Sequence, residues 1–297
     1  MTIHRIVLGA VVAATGVATQ AGVYTANLGN VAIPSAAPVT VPFNIPGADT
    51  APIRGFLVGG NWTAVAGGPW SSELGAGLDA STLRYQGGAS NGNPFAFPGV
   101  SGTYNNSVYG GDLQGVDSVA VSGAHTASFQ QEFAGSSAQL ANATVSLYTD
   151  ALSPIASAIV EGPTFNRPSS LTTLSGVGTS VYYNSHPFVA PATGTFLVNL
   201  STPGVSDPDG YLLLYSGSFN PASPLTNLIG VSDDGGNGVG FSSTIPINLT
   251  SGSQYVAVAT TFDNAITGAY SLYVAGVPEP ATALLLLLGG VTALRRR

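Results

Sequence analysis

The chain has 297 residues with 14 acids and seven basic residues, and all seven of the latter are Arg. Charged residues are 7% of the chain, against about a quarter in ordinary soluble proteins. The lack of Cys excludes a disulfide framework, a zinc–thiolate site and a cysteine nucleophile; the lack of Lys excludes a phosphate-cradling P-loop; the acidic balance excludes nucleic acid as a partner.

The N-terminus carries Arg5, a 13-residue apolar run from Ile6 to Ala18, then Thr19-Gln20-Ala21 before Gly22. A positive start, a short apolar core and small residues at the −3 and −1 positions form a secretory signal peptide, expected over 1–21 and removed after Ala21. The apolar run is too short to span a membrane comfortably. Without the two ends, Arg54, Arg84 and Arg167 stand against 13 acids (all but Glu279), so the body carries about −10.

The body predicts an all-β fold. Val39, Val41, Phe43 and Ile45 alternate with Thr40, Pro42 and Asn44; Phe196, Val198 and Leu200 alternate with Leu197 and Asn199; Ile245, Ile247 and Leu249 share one face, and so do Tyr270, Leu272 and Val274. A period of two marks half-buried strands, and Asn91-Gly92, Asp209-Gly210, Gly235-Gly236 and Ser251-Gly252 are turn signals between them. Gly (39) and Pro (20) supply the corners that many short strands need. The expected architecture is two tandem β-sandwich, jelly-roll-like domains, flanked by an N-terminal signal helix and a short C-terminal hydrophobic helix. Pro154, Gly162, Pro163 and Pro168 place the boundary, with domain one over 22–155 and domain two over 160–276.

An internal echo accompanies that division. Pro42-Phe43-Asn44-Ile45-Pro46 matches Pro187-Phe188-Val189-Ala190-Pro191, and Val145-Ser146-Leu147-Tyr148 matches Tyr270-Ser271-Leu272-Tyr273. In each half the first motif opens the β region and the second closes it. Duplication and chance agreement between biased sequences both account for the echo.

Two chemistries fit the body. In domain one, Trp62, Trp70, Tyr104 and Tyr109 lie in Gly/Asn-rich stretches; exposed aromatic faces would hold sugar rings, whereas a buried Trp would simply fill a core. In domain two, Asp207, Asp209, Asp233, Asp234 and Asn237 fall in two Gly-rich loops with no Arg nearby in sequence. Oxygen ligands on flexible loops suit a structural calcium ion, and the plain alternative is that Asp and Asn make turns. Catalysis is not expected. His125 and His186 stand in no metal-binding motif, and no Gly-x-Ser-x-Gly turn occurs. An acid pair drawn from Glu73, Asp79, Asp112, Asp117 and Glu132 is the one enzymatic alternative, a glycoside-acting one.

In domain two, Gly194-Thr195-Phe196, Asp209-Gly210-Tyr211-Leu212-Leu213-Leu214-Tyr215, Ser232-Asp233-Asp234-Gly235-Gly236, Leu249-Thr250-Ser251-Gly252-Ser253-Gln254-Tyr255 and Gly268-Ala269-Tyr270-Ser271-Leu272 follow in order. This stretch, about 180–275, resembles the bacterial pre-peptidase C-terminal domain, which implies a β-sandwich that assists binding or secretion beside another domain. Here no protease domain precedes it.

The C-terminus reads Val277-Pro278-Glu279-Pro280, then 14 apolar or small residues over 281–294, then Arg295-Arg296-Arg297. As a helix this run would cover ~21 Å of a ~30 Å hydrocarbon core, with the arginines held on the cytoplasmic side. A span this short suits a transient stop in the inner membrane followed by processing. The three parts at 277–297 resemble the PEP-CTERM sorting signal of Gram-negative bacteria. The resemblance implies recognition by an exosortase, cleavage near Pro278-Glu279-Pro280, and delivery to the cell surface or to an exopolysaccharide-containing matrix. The expected role is structural or adhesive, with a carbohydrate-binding or carbohydrate-active exported protein as the alternative.

Overall fold

The computed structural model describes residues 22–69, 74–79, 84–85, 103–111, 119–131, 134–202, 209–233 and 242–276. Among them every regular element is a strand, so the all-β expectation holds. The expected signal helix and C-terminal hydrophobic helix lie outside the described residues.

The first eight strands are β1 (Val23–Pro34), β2 (Val39–Ile45), β3 (Ile53–Ala66), β4 (Leu74–Leu78), β5 (Arg84–Tyr85), β6 (Thr103–Gly111), β7 (Gly123–Gln131) and β8 (Ser137–Thr149). They form two four-stranded sheets, β1-β8-β3-β6 and β2-β7-β4-β5. First pairs with last, second with seventh, third with sixth and fourth with fifth, all antiparallel. A long two-stranded ribbon folded over itself gives this nesting, which is the strand order of a jelly roll. Alternation places Val31, Ile33, Phe56, Val58, Trp62, Leu140, Val145 and Leu147 of one sheet against Ile45, Leu74, Ala76, Ala127 and Phe129 of the other, in one closed core.

The second unit comprises β9 (Ile155–Ile159), β10 (Thr164–Phe165), β11 (Val181–Val189), β12 (Gly194–Ser201), β13 (Gly210–Ser216), β14 (Leu228–Ser232), β15 (Ser242–Leu249), β16 (Gln254–Thr261) and β17 (Gly268–Gly276). Its sheets run β15-β12-β17-β9 and β10-β11-β16-β13-β14. With the two-residue β10 set aside, the nesting repeats: β9 with β17, β11 with β16, β12 with β15, β13 with β14. Both units therefore share one topology. β9 pairs with β17, so the boundary falls before Ile155, within 151–154, rather than at 155–160.

The sequence echo lies on equivalent strands. Phe43 on β2 pairs with His125, and Phe188 on β11, the equivalent strand, pairs with Tyr255. Ser146 on β8 and Ser271 on β17 each lie on the last strand, between the first and third of their unit. Shared position within a shared topology favours duplication over chance.

Candidate functional site

Among the described residues, buried polar groups gather at the seam between the units and at a pocket in the second.

The seam follows from residues that break the in–out alternation. On β12, Phe196, Val198 and Leu200 face the core, so Leu197 and Asn199 should face water; instead they are 0% and 1% exposed. Leu197 packs with Ala275 of β17 and with Leu57 and Tyr148 of the first unit. The outer faces of two equivalent sheets thus stack on each other. Arg54 fixes the contact. Its Nε donates to Asp150 Oδ2 at 2.9 Å, its guanidinium lies 4.5 Å from the centre of the Tyr273 ring, and its carbonyl accepts from Asn199 Nδ2 at 2.7 Å. Burial raises the Asp150 carboxyl above its usual range, and Arg54 only partly offsets this. Asp150 Oδ1 is buried with no hydrogen-bond partner among the described residues.

Both ends of the described body reach this seam. The Gly22 nitrogen donates to Thr149 Oγ1 at 2.7 Å, its carbonyl accepts from Thr149 N at 3.0 Å, and Val23 packs on the seam cluster. At the other end Ala275 bridges to Asp150, the residue after Thr149.

The pocket is built around Arg167, 1% exposed. Arg167 lies before β11 in the Pro/Ser-rich stretch 166–180. Its guanidinium lies 3.8 Å from the centre of the Tyr211 ring and 4.6 Å from that of Phe262, and Nε donates to the Phe262 carbonyl at 3.0 Å. Its backbone bonds hold the stretch in a loop: Arg167 N to Gly178 O at 3.0 Å and Ser175 N to Arg167 O at 2.8 Å. Gly178 permits the close approach, because a Cβ there would stand 2.8 Å from Arg167 Cγ. Burial pushes the guanidinium below its usual range, while Tyr211, Asp233 and Asp209 push it back up. Burial also raises Tyr211 to about 12, so the ring stays a neutral phenol beside the cation. The cavity, about 360 Å³, is lined by Arg167, Ser169, Ser175, Tyr211, Asp233 and Phe262 among others.

The sequence-based candidates separate accordingly. Asp209 and Asp233 are brought together, but around Arg167. The expectation of carboxylates without a nearby Arg is therefore corrected: the loop charge has a resident cation, supplied by a residue 42 positions before Asp209. Asp207, Asp234 and Asn237 lie outside the described residues. Among the described residues no three His, Cys, Asp or Glu cluster as a metal site. Trp62 is 0% exposed in the first core, so its indole offers no face to a sugar; it follows the inward alternation of β3 and fills volume. Trp70 lies outside the described residues, and for Tyr104 and Tyr109 only the backbone on β6 is described, opposite Trp62 and Val58.

Asp79 is the one described member of the acid set. It accepts from Thr126 N at 2.8 Å and meets His125 Nδ1 at 2.9 Å. His125 Nε2 faces the Val121 carbonyl at 3.0 Å, so both ring nitrogens are engaged. Glu73, Asp112, Asp117 and Glu132 lie outside the described residues, as do Pro278, Glu279, Pro280, Arg295, Arg296 and Arg297. His186 Nε2 meets Tyr270 Oη at 2.6 Å, closing the side of the second unit between β11 and β17.

Sequence reasoning missed Arg167 and Arg54. Arg167 is one of only three Arg in the body, each in a nearly uncharged neighbourhood, and that rarity was the available signal.

No protein-family description matches the chain, and no curated protein does. Among solved structures, the STIV MCP is 17% identical, with 89% of this chain and 98% of that one covered and a TM-score of 0.25. The CBM22-1–CBM22-2 tandem domain of Paenibacillus barcinonensis Xyn10C is 10% identical, covering 88% and 99%, with a TM-score of 0.23. Tripeptidyl peptidase 2 is 8% identical, covering 85% of this chain and 23% of its own, with a TM-score of 0.25. Scores at this level carry no argument about fold or function.

Proposed function

We propose that the chain is an exported protein of the cell surface or extracellular matrix, structural or adhesive in role, sent there by its two terminal segments. The observation that carries the reading is the convergence of both ends on the seam: Gly22 lies against Thr149, and Ala275 against Asp150. A leader ending at Ala21 and a PEP-CTERM-like tag starting near Pro278 would then both leave the body close to Thr149 and Asp150. Exosortase would act on the tag there, and the exopolysaccharide matrix would receive the released body.

The polar groups support a non-catalytic body. His125 spends both ring nitrogens on Asp79 and Val121, and Arg167 is sandwiched by two rings and balanced by two carboxylates, which suits holding loops together. The sugar-binding alternative loses Trp62 to the core. The test is deletion of 278–297 in the native host. The protein is expected to move from the surface fraction to the medium; unchanged fractionation would overturn the reading.

A further inference from the structure

Three inward positions of the second unit are polar where the first unit is apolar. On β11, Tyr182 and Phe188 pack on the core, so Asn184 and His186 between them face the same way. Tyr270 of β17 meets them from the opposite sheet and is 2% exposed. The echo aligns Phe43 with Phe188 and Ser146 with Ser271, which sets Val39 and Val41 against Asn184 and His186, and Val145 against Tyr270. Val145 lies in the first core, and Val39 and Val41 pack against it. Filling the space does not call for polar groups. We propose that Asn184, His186 and Tyr270 form an acid-released clasp on the edge strand β9. The clasp lies within the second unit and does not depend on the export reading.

β9 is the outer strand of its sheet, and Ile155, Ala156, Ser157 and Ala158 are exposed, so little apolar burial holds it. Besides its pairing with β17, it is tied across the side of the sandwich: Asn184 Nδ2 donates to the Ala158 carbonyl at 2.8 Å. The same nitrogen donates to Tyr270 Oη at 3.0 Å, and Tyr270 Oη meets His186 Nε2 at 2.6 Å. A carbonyl takes only a donor, which fixes Asn184 with its nitrogen toward both partners. Tyr270 Oη accepts from that nitrogen, so its own buried hydrogen goes to Nε2. The imidazole is then neutral, with its hydrogen on Nδ1. A proton added at Nε2 turns that acceptor into a donor. The phenol hydrogen loses its acceptor, and Tyr270 Oη bonds to no other group among the described residues. A buried hydroxyl without an acceptor and an imidazolium away from water both cost free energy. Both are relieved when Asn184 and β9 move off and water enters, and that movement bares the edge of β17.

The strands around the imidazole carry no acid and no Arg. Besides His186, the titratable groups of β9, β10, β11, β16 and β17 are Tyr182, Tyr183, Tyr255, Tyr270 and Tyr273. Glu161 and Asp263, just after β9 and β16, are exposed. Burial lowers the His186 pKa, so the closed state favours the neutral ring. The clasp is therefore fully effective above the open-state value of about 6.5 and weakens as pH falls through the lower closed-state one.

Amide hydrogen exchange of the full chain in mild detergent, corrected for the intrinsic effect of pH on exchange, tests this at pH 7.5 and 5.0. Protection over Ile155–Ile159 is expected to fall about threefold or more at pH 5.0, while that over Gly194–Ser201 of β12, inside the same sheet, holds. His186→Gln keeps an acceptor and does not titrate, so its β9 protection should be equal at both pH values. Unchanged protection of β9 in the parent, a fall shared equally by β12, or the same fall in H186Q would overturn the proposal. If H186Q does not fold, the imidazole nitrogens of the parent decide by NMR. The ring must carry its hydrogen on Nδ1 at pH 7.5, and β9 must lose protection over the pH range in which His186 titrates; an Nε2–H ring, or a loss at another pH, overturns the clasp.

Discussion

Replacing Arg167 with Ala removes the contact that ties four separate segments of the second unit. Three losses follow. The charged hydrogen bond to the Phe262 carbonyl is worth about 1.5–3 kcal/mol. The stacking on Tyr211 and Phe262, desolvated on both sides, is worth about 1–2 kcal/mol. Asp233 and Asp209 lose their resident cation, though part of that cost is recovered where solvent reaches them. The parts overlap, and buried charge networks broken on one side cost about 3–5 kcal/mol in total. For a body of this size that is a fall of about 6–20 °C in Tm. The assay is a calorimetric melt of the full chain with R167A and R167K side by side. Lys keeps the charge and loses the planar stack, so R167K should fall between R167A and the parent. An R167A chain melting within 2 °C of the parent would refute the reasoning, because the guanidinium would then be held by nothing that matters to the fold.

The remaining predictions concern charge. Burial raises the folded Asp150 pKa above its unfolded value, so protonation favours the folded state. That contribution is full below an unfolded pKa of about 4 and is lost as pH rises through the folded value. The stability of the parent relative to Asp150→Asn should therefore be greatest near pH 3 and decline toward neutrality in paired denaturant titrations; a difference growing with pH would contradict the assignment. In the second unit Arg167 already provides charge for Asp209 and Asp233, so a melt in millimolar calcium and again in chelator should give the same Tm. A calcium-dependent rise of several degrees would show that the set Asp207, Asp209, Asp233, Asp234 and Asn237 binds the ion after all.

The inner faces of the strands were legible because their pattern is local. Val39, Val41, Phe43 and Ile45 turn inward while Thr40, Pro42 and Asn44 do not, and Tyr255 and Tyr270 are buried at 7% and 2%. Composition and periodicity also pointed to jelly-roll-like units, but not to the face they share. Leu197 and Asn199 carry the seam, yet an apolar residue in an outward position has many meanings until its partner is known, and Leu57 lies 140 positions earlier. Arg167 was opaque for the same reason: its rings come from Tyr211 and Phe262, and no local pattern links a Pro/Ser-rich stretch to two later strands' ends. Trp62 shows the reverse error, where a Gly/Asn-rich context suggested a surface and the period of β3 placed the indole inside.

The seam joins the same sheet of each unit, and the echoed motifs put Tyr148 and Tyr273 at matching positions on the last strands, both turned toward it. Two like surfaces meeting through equivalent strands is the arrangement of a symmetric homodimer. Here the partners are joined by residues 151–154, a tether so short that each finds the other at an effective concentration no free subunit reaches. Such a pair needs no large interface to stay together and does not come apart on dilution. Sequence divergence could then treat the halves separately, leaving Arg167 and its aromatic clamp in one and a Trp-centred core in the other.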